Sequence, residues 1–191
     1  DKFFPKNKVM NLGNPVRKSL KTDKISKKES RAFFGLKEDI FTVLVIGGSL
    51  GAEPINLAIS HVLNLRYSNC QFIWQTGEVS SYSLYSSVYQ GANSIHKFIN
   101  RMDLAYHAAD IVISRAGAIA IAEICFLSKP SILIPSPYVT NDHQTINAKY
   151  LEKHNGCLII SEKKLEPDEK LFNKMNSKNL IPISATPDPI G

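Results

Sequence analysis

The sequence predicts an α/β domain built on a doubly wound parallel sheet of about six strands. Three observations carry that expectation. Beyond residue 40, short apolar runs alternate with segments of helical period. The runs are apolar throughout rather than at every second residue, as in strands buried on both faces. Several of them end in turns that contain glycine or proline.

The elements follow in order. Phe41–Ile46 is a β-branched run closed by Gly47-Gly48. Glu53–Leu65 reads as a helix with Pro54 in its first turn, where a missing N–H is tolerated. Gln71–Gln75 is a strand, Ser80–Tyr89 a helix, Ser94–Ile99 a strand and Met102–Ala108 a short helix. Asp110–Ser114 is a strand, Ala118–Leu127 a helix and Ser131–Ile134 a strand. Gln144–His154 is a helix, Cys157–Ile160 a strand and Asp168–Met175 a helix after Pro167. Residues 1–22 read as a connector containing Gly13-Asn14-Pro15-Val16-Arg17, and residues 23–178 as the domain. Residues 179–191, with three prolines and no periodicity, read as an extended tail.

Of the 191 residues 43% are hydrophobic and 21% charged, an ordinary balance for a globular domain. No apolar run approaches the roughly 20 residues that span a bilayer. The chain starts without Met and without a signal-peptide pattern, so it is expected to be part of a longer protein. The net charge of +6 is uneven. Residues 1–37 hold eleven Lys/Arg against three Asp/Glu, and the remainder twelve against fourteen. The basic segment reads either as a solvated helix or as a contact for an anionic membrane or phosphate. With no RNA-binding aromatic signature and no zinc-finger spacing, nucleic acid is not an expected partner. Cys70, Cys125 and Cys157 lie far apart in apolar contexts and read as reduced core thiols.

In an open parallel sheet, ligands bind at the carboxyl ends of the strands. The turn after the first strand is Gly47-Gly48-Ser49-Leu50-Gly51-Ala52. Its glycines let backbone approach a phosphate, and the following helix offers free N–H groups. A tight βα turn without a ligand is the alternative. A second such turn, Ser114-Arg115-Ala116-Gly117, opens a helix of small and apolar residues that carries Glu123. A carboxylate there needs a partner. Two ribose hydroxyls would serve, or a salt bridge to Arg115 or Lys129. A third turn, Pro135-Ser136-Pro137-Tyr138, leads to Asp142, His143, Gln144 and Asn147, a polar set suited to sugar hydroxyls. Helix capping by Asn141 or Asp142 is compatible with that role. No Asp-x-Asp pair and no G-x-S-x-G elbow is present, which disfavours metal catalysis and a serine nucleophile. His61, His96, His107 and His154 read as surface or structural.

Three motifs, GGSLGA (47–52), SRAGAIAIAEI (114–124) and NDHQTINA (141–148), combine with GNPVR (13–17) and KFINRMD (97–103). In this order they resemble the MurG family of bacterial N-acetylglucosaminyltransferases, from about residue 3 to residue 190. The resemblance implies a GT-B enzyme of two Rossmann-like halves, this chain being the C-terminal one. It implies an inverting, metal-independent and cofactor-free transfer of N-acetylglucosamine from UDP-N-acetylglucosamine to the lipid-linked muramoyl-pentapeptide, lipid I, giving lipid II. The location it implies is cytoplasmic, peripheral on the inner face of the plasma membrane.

By the same resemblance, Gly47, Gly48 and Gly51 form the phosphate loop, with Ser49 and Met102 near the diphosphate. The backbone of Ile99 reads the uracil edge, and Glu123 holds the ribose. The Ala118 backbone, His143, Gln144 and Asn147 surround the sugar, and Arg17 lies close to the nucleotide. No catalytic residue is expected in this chain. The general base, the lipid-acceptor site and the membrane-facing patch are expected in the N-terminal half. The sequence departs from the family at Glu53-Pro54, where Arg is common, and at Ala120, where Ser or Thr is common. Three other readings remain: the donor subunit of a two-chain transferase, a UDP-sugar epimerase of the same architecture, and a non-enzymatic basic binding module.

Overall fold

A computed structural model describes residues 13–21, 25–64, 70–78, 85, 93–139 and 142–165. Six strands form one sheet: β1 (Phe41–Ile46), β2 (Cys70–Gln75), β3 (Ser94–His96), β4 (Ile111–Ser114), β5 (Ser131–Leu133) and β6 (Leu158–Ile159). Their spatial order is β3-β2-β1-β4-β5-β6, and every neighbouring pair is parallel. The chain winds outward from β1 to β3, then returns to lay β4 against the other side of β1. That reversal opens a crevice above the carboxyl ends of β1 and β4, where this class of sheet binds ligands.

Alternate side chains of β1 enter opposite cores, as strand geometry requires. Val43 and Val45 join Phe72, Trp74, Ile111 and Ile113 beneath Ile55 and Ile59 of α2 (Glu53–Asn64). Leu44 and Ile46 join Ile73, Val112 and Leu133 on the other face. There they meet Leu104 and Tyr106 of α3 (Met102–Ala108) and Ile124 of α4 (Ala118–Phe126). A sheet covered on both faces explains the unbroken apolar runs. Helix α5 (His143–Lys153) buries only Ala148 fully.

The basic leading segment contains α1 (Lys27–Phe33), opened by a capping box. Ser26 Oγ accepts from Glu29 N at 3.1 Å, and Glu29 Oε2 accepts from Ser26 N at 3.1 Å. This helix is only partly the solvated one expected. Lys27 and Lys28 are exposed, whereas Ser30 and Arg31 are buried. Arg31 reaches past the end of α3 to Ala108 O at 3.2 Å and pairs with Asp110 at 2.6 Å.

Two further expectations need correction. The third strand ends at His96, not Ile99, because the Ile99 N–H is diverted to Gln75 Oε1 at 2.9 Å. Cys70 and Cys157 are buried, and burial pushes their thiols up to about 12 and about 11, but Cys125 is exposed on the outer side of α4. The expected helices over 80–89 and 168–175 lie outside the described residues, apart from Tyr85, as does the tail over 179–191. No described helix is long and apolar enough to cross a membrane.

Candidate functional site

The first turn of the site is held from behind by residues that the sequence reading did not single out. Gly51 (φ +82°) and Gly77 (φ +91°) lie back to back. A Cβ on Gly51 would collide with the Thr76 carbonyl, and one on Gly77 with the Gly51 backbone. Only glycine meets both the left-handed backbone and the close approach. Asn56 of α2 donates to Thr76 O at 2.9 Å and accepts from Trp74 Nε1 at 3.0 Å, which ties the helix to β2. Gln75 spans the crevice wall. Its Nε2 donates to Gly48 O at 2.9 Å, while its Oε1 takes the Ile99 N–H. The signal for Gln75 and Gly77 is their place directly at and after the end of a buried strand.

These supports leave Gly48, Ser49 and Leu50 exposed at the carboxyl edge. Gly47 is half-buried, and a Cβ there would press on Ala52 N at 2.6 Å. Of Ile99, only the carbonyl remains for a ligand, because its N–H is taken. Met102 opens α3 with its side chain in the core, so it can offer backbone and not sulfur. Next to it, Arg101 pairs with Asp103 at 2.7 Å and holds that carboxyl below the usual range. Glu53 accepts from the Tyr85 hydroxyl at 3.2 Å; it places a carboxylate, not a cation, at the start of α2.

The second turn runs from β4 through Arg115 and Ala116 to Gly117, the N-cap of α4, which carries no side-chain cap. Ala118 and Ile119 are exposed, so the first N–H groups of α4 are open. The third turn clasps the second. Gln144 Oε1 accepts from Ala116 N at 3.3 Å and Ser136 N at 3.0 Å, and Asn147 Nδ2 donates to Ala116 O at 3.4 Å. Gln144 and Asn147 thus shape the turn in front of α4. His143 is exposed at the start of α5. Asp142 is its N-cap, in left-handed backbone with no capping side-chain bond; Asn141 lies outside the described residues.

Glu123 sits behind the open end of α4 and is 2% exposed. Neither salt-bridge partner considered from sequence reaches it. Arg115 pairs with Glu162 at 2.5 Å, and Lys129 donates to Ala109 O at 2.6 Å. Its partner among the described residues is Arg17, with Nε 3.3 Å from Glu123 Oε1. Despite that ion pair, among the described residues neither Glu123 Oε1 nor the buried Tyr106 hydroxyl has a hydrogen-bond partner. Burial, and then the Glu123 charge, hold the Tyr106 hydroxyl well above the usual phenol range. The resemblance implies a place near the nucleotide for both Arg17 and Glu123, and the fold joins the two across more than a hundred residues. Among the described residues no group of three or more His, Cys, Asp or Glu is arranged to hold a metal.

The chain matches the glycosyltransferase family 28 C-terminal domain over residues 42–182. It is 47% identical over 172 residues to the UDP-N-acetylglucosamine–N-acetylmuramyl-(pentapeptide) pyrophosphoryl-undecaprenol N-acetylglucosamine transferase of Parabacteroides distasonis. That alignment covers 88% of this chain and 47% of the relative. The protein of the same name from Christiangramia forsetii is 42% identical over 202 residues, covering 97% of this chain and 54% of the relative. The chain therefore spans about half the length of the curated relatives it matches. Among solved structures, Acinetobacter baumannii MurG superposes with a TM-score of 0.66 at 25% identity, over 93% of this chain and 51% of that one. The glycosyltransferase SnogD of Streptomyces nogalater, at TM-score 0.53 and 15% identity over 69% of this chain and 34% of that one, shares the fold.

Proposed function

The chain belongs to the glycosyltransferase family 28 C-terminal domain family, and from that membership we propose that it is the UDP-N-acetylglucosamine-binding half of a MurG-type transferase. The observation that carries this reading is Glu123: a carboxylate sealed behind an uncapped helix N-terminus, beside the sheet's switch point, with one loose partner. Ribose hydroxyls supply the donors that such a group lacks. The diphosphate then lies along the glycine turn, over Ser49 and the open start of α4, where N–H groups and the helix dipole favour an anion. The Ile99 carbonyl accepts the uracil imide N–H. His143, the Ala118 backbone and the amides of Gln144 and Asn147 meet the sugar. Arg17 meets the nucleotide from the connector, residues 1–22, which joins the domain at residues 23–178 to the acceptor half.

The reaction in this reading is the one its relatives' names carry. An acceptor hydroxyl of the lipid-linked muramoyl-pentapeptide attacks the anomeric carbon with inversion, without metal or cofactor, and UDP departs towards the helix N-termini, which stabilise its charge. The other half supplies the general base and holds the acceptor at the membrane surface. The chain alone binds the donor without transferring it, because proximity worth on the order of 7–11 kcal/mol comes from the missing acceptor.

A thermal-shift series with UDP-N-acetylglucosamine, UDP, ADP and NAD tests the binding claim. Only the uridine nucleotides should raise Tm; at a hundredfold excess over Kd the stabilisation is about 2.7 kcal/mol. An equal response to ADP or NAD would overturn it. Transfer of labelled N-acetylglucosamine to lipid acceptor should require the longer protein. Robust transfer by the 191 residues alone would contradict the division of labour.

A further inference from the structure

We propose that Gln75 is a positioning residue for the nucleotide: its side-chain amide holds the glycine turn and Ile99 together, so that diphosphate and uracil meet groups already in place. This inference rests on the reading of those two segments as the diphosphate and uracil contacts. Gln75 is the last residue of β2, flanked by Ile46 of β1 and His96 of β3. Its side chain is buried. Alternation along β2 puts it on the same face as Ile73, in an apolar core. An amide there is costly unless it is hydrogen-bonded. Its bonds go to the two segments that the nucleotide reading invokes: Nε2 donates to Gly48 O and Oε1 accepts from Ile99 N, each at 2.9 Å.

The chemistry of the two partners fixes how the amide lies. A carbonyl only accepts and an N–H only donates, so the amide nitrogen must face Gly48 and the amide oxygen Ile99. A carboxylate would set oxygen against the Gly48 carbonyl. An apolar side chain would leave the Ile99 N–H buried without its acceptor, and Gly48 O held only by the Gly51 N–H at 3.1 Å. Both bonds bear on what the crevice shows to a ligand. No described peptide is cis, so the planar unit that turns Gly48 O towards Gln75 points the Ser49 N–H the opposite way. Ser49 is exposed, and its N–H faces the place read as the diphosphate site. At the other end, the bond to Ile99 N pins the chain just after β3 and leaves the Ile99 carbonyl to the ligand. The two segments belong to different βα turns, and one side chain joins them. Without it, binding must also order both.

Gln75→Met keeps the length of the side chain and removes both donor and acceptor. Calorimetry with the 191-residue chain compares UDP, UMP and CDP. The preference for UDP over UMP reads the diphosphate on the glycine turn. The preference for UDP over CDP reads the base at the Ile99 carbonyl, because cytosine offers a lone pair where uracil offers an N–H. Both preferences should fall in Gln75→Met, each by roughly three- to tenfold, the value of one neutral hydrogen bond. A Gln75 that serves stability alone would lower Tm and leave both ratios unchanged, which would overturn the proposal. Loss of one ratio with the other kept would overturn it too, since one amide holds both segments. If the unaltered chain prefers UDP to neither UMP nor CDP, the reading of the two segments fails and this one with it. Preferences that are present in the unaltered chain and survive in Gln75→Met sink the positioning role alone. Amide exchange in the unaltered chain decides the matter if Gln75→Met does not fold. The Ile99 N–H should be protected before ligand is added and stay so with UDP, whereas the Ser49 N–H should exchange freely and become protected by UDP. An Ile99 N–H protected only once UDP is bound would contradict the proposal, as would a Ser49 N–H that UDP leaves exchanging.

Discussion

Asp110 and Glu123 are carboxylates shielded at opposite edges of the same sheet, and the fold treats them in opposite ways. At the amino edge, Asp110 accepts from Thr42 N at 2.7 Å, from Arg31 Nη2 at 2.6 Å and from Lys27 Nζ. Arg31, in turn, donates to the carbonyls of Ala108 and Glu38. Asp110 and Arg31 are each answered by several groups, and α1 is fastened to the sheet through them. At the carboxyl edge, Glu123 is more deeply buried yet has one ion pair, at 3.3 Å, from a side chain that is 47% exposed. Burying a charge is costly unless it is paired and hydrogen-bonded. A saturated network therefore serves stability. An unsaturated one is a cost that a ligand can remove.

The comparison breaks most visibly at Asp110. Asp110→Ala strands Arg31, whose side chain is 6% exposed, and should destabilise the chain by about 3–5 kcal/mol in urea titrations. UDP affinity per folded molecule should stay the same, since the two edges share no partner. A lost UDP response in the folded fraction would show that the edges are coupled.

Gly51→Ala tests the carboxyl edge through its backbone. The left-handed φ alone costs about 1–3 kcal/mol, and the collision with Thr76 O adds to it. Stability and the UDP-induced Tm shift should both fall. A variant that keeps the shift would separate the glycine turn from nucleotide binding.

Smaller effects distinguish clasp from contact. Gln144→Ala leaves Ala116 N and Ser136 N without their acceptor and loosens the turn before α4. It should weaken UDP by about 1–2 kcal/mol through the loosened turn, and UDP-N-acetylglucosamine by more, because the same amide meets the sugar. His143→Ala touches only an exposed side chain and should weaken the sugar nucleotide alone, by about 0.5–1.5 kcal/mol. Equal losses for both ligands in His143→Ala would remove it from the sugar site.

What the sequence made legible follows from range. Most strands were readable because their interiors are near-continuous apolar runs, which a parallel sheet covered on both faces demands. Gly51 was readable as part of a glycine turn, but its close approach to Thr76, 25 residues on, and to Gly77 was not. The Ser26–Glu29 capping box is also written locally, three residues apart. The partnerships were not readable. Arg31 meets Asp110 79 residues away, and Gln75 meets Ile99 24 residues away. For Glu123, sequence proximity suggested Arg115 and Lys129, whereas the fold supplies Arg17. Ile99 shows the same limit: the sequence pattern carries the strand on to it, and the diversion of its N–H to Gln75, which leaves it beyond the end of β3, was not legible.

The most direct test of the account is a calorimetric titration of the chain and its Glu123→Ala variant with UDP and with 2′,3′-dideoxy-UDP. The unaltered chain should prefer UDP by about 2–3 kcal/mol, as for hydrogen bonds to a charged group, and the variant should bind the two ligands alike. The variant's Tm should fall far less than that of Asp110→Ala, because Glu123 has few partners to lose. Full UDP affinity in Glu123→Ala would contradict the claim that this carboxylate is held for the ribose.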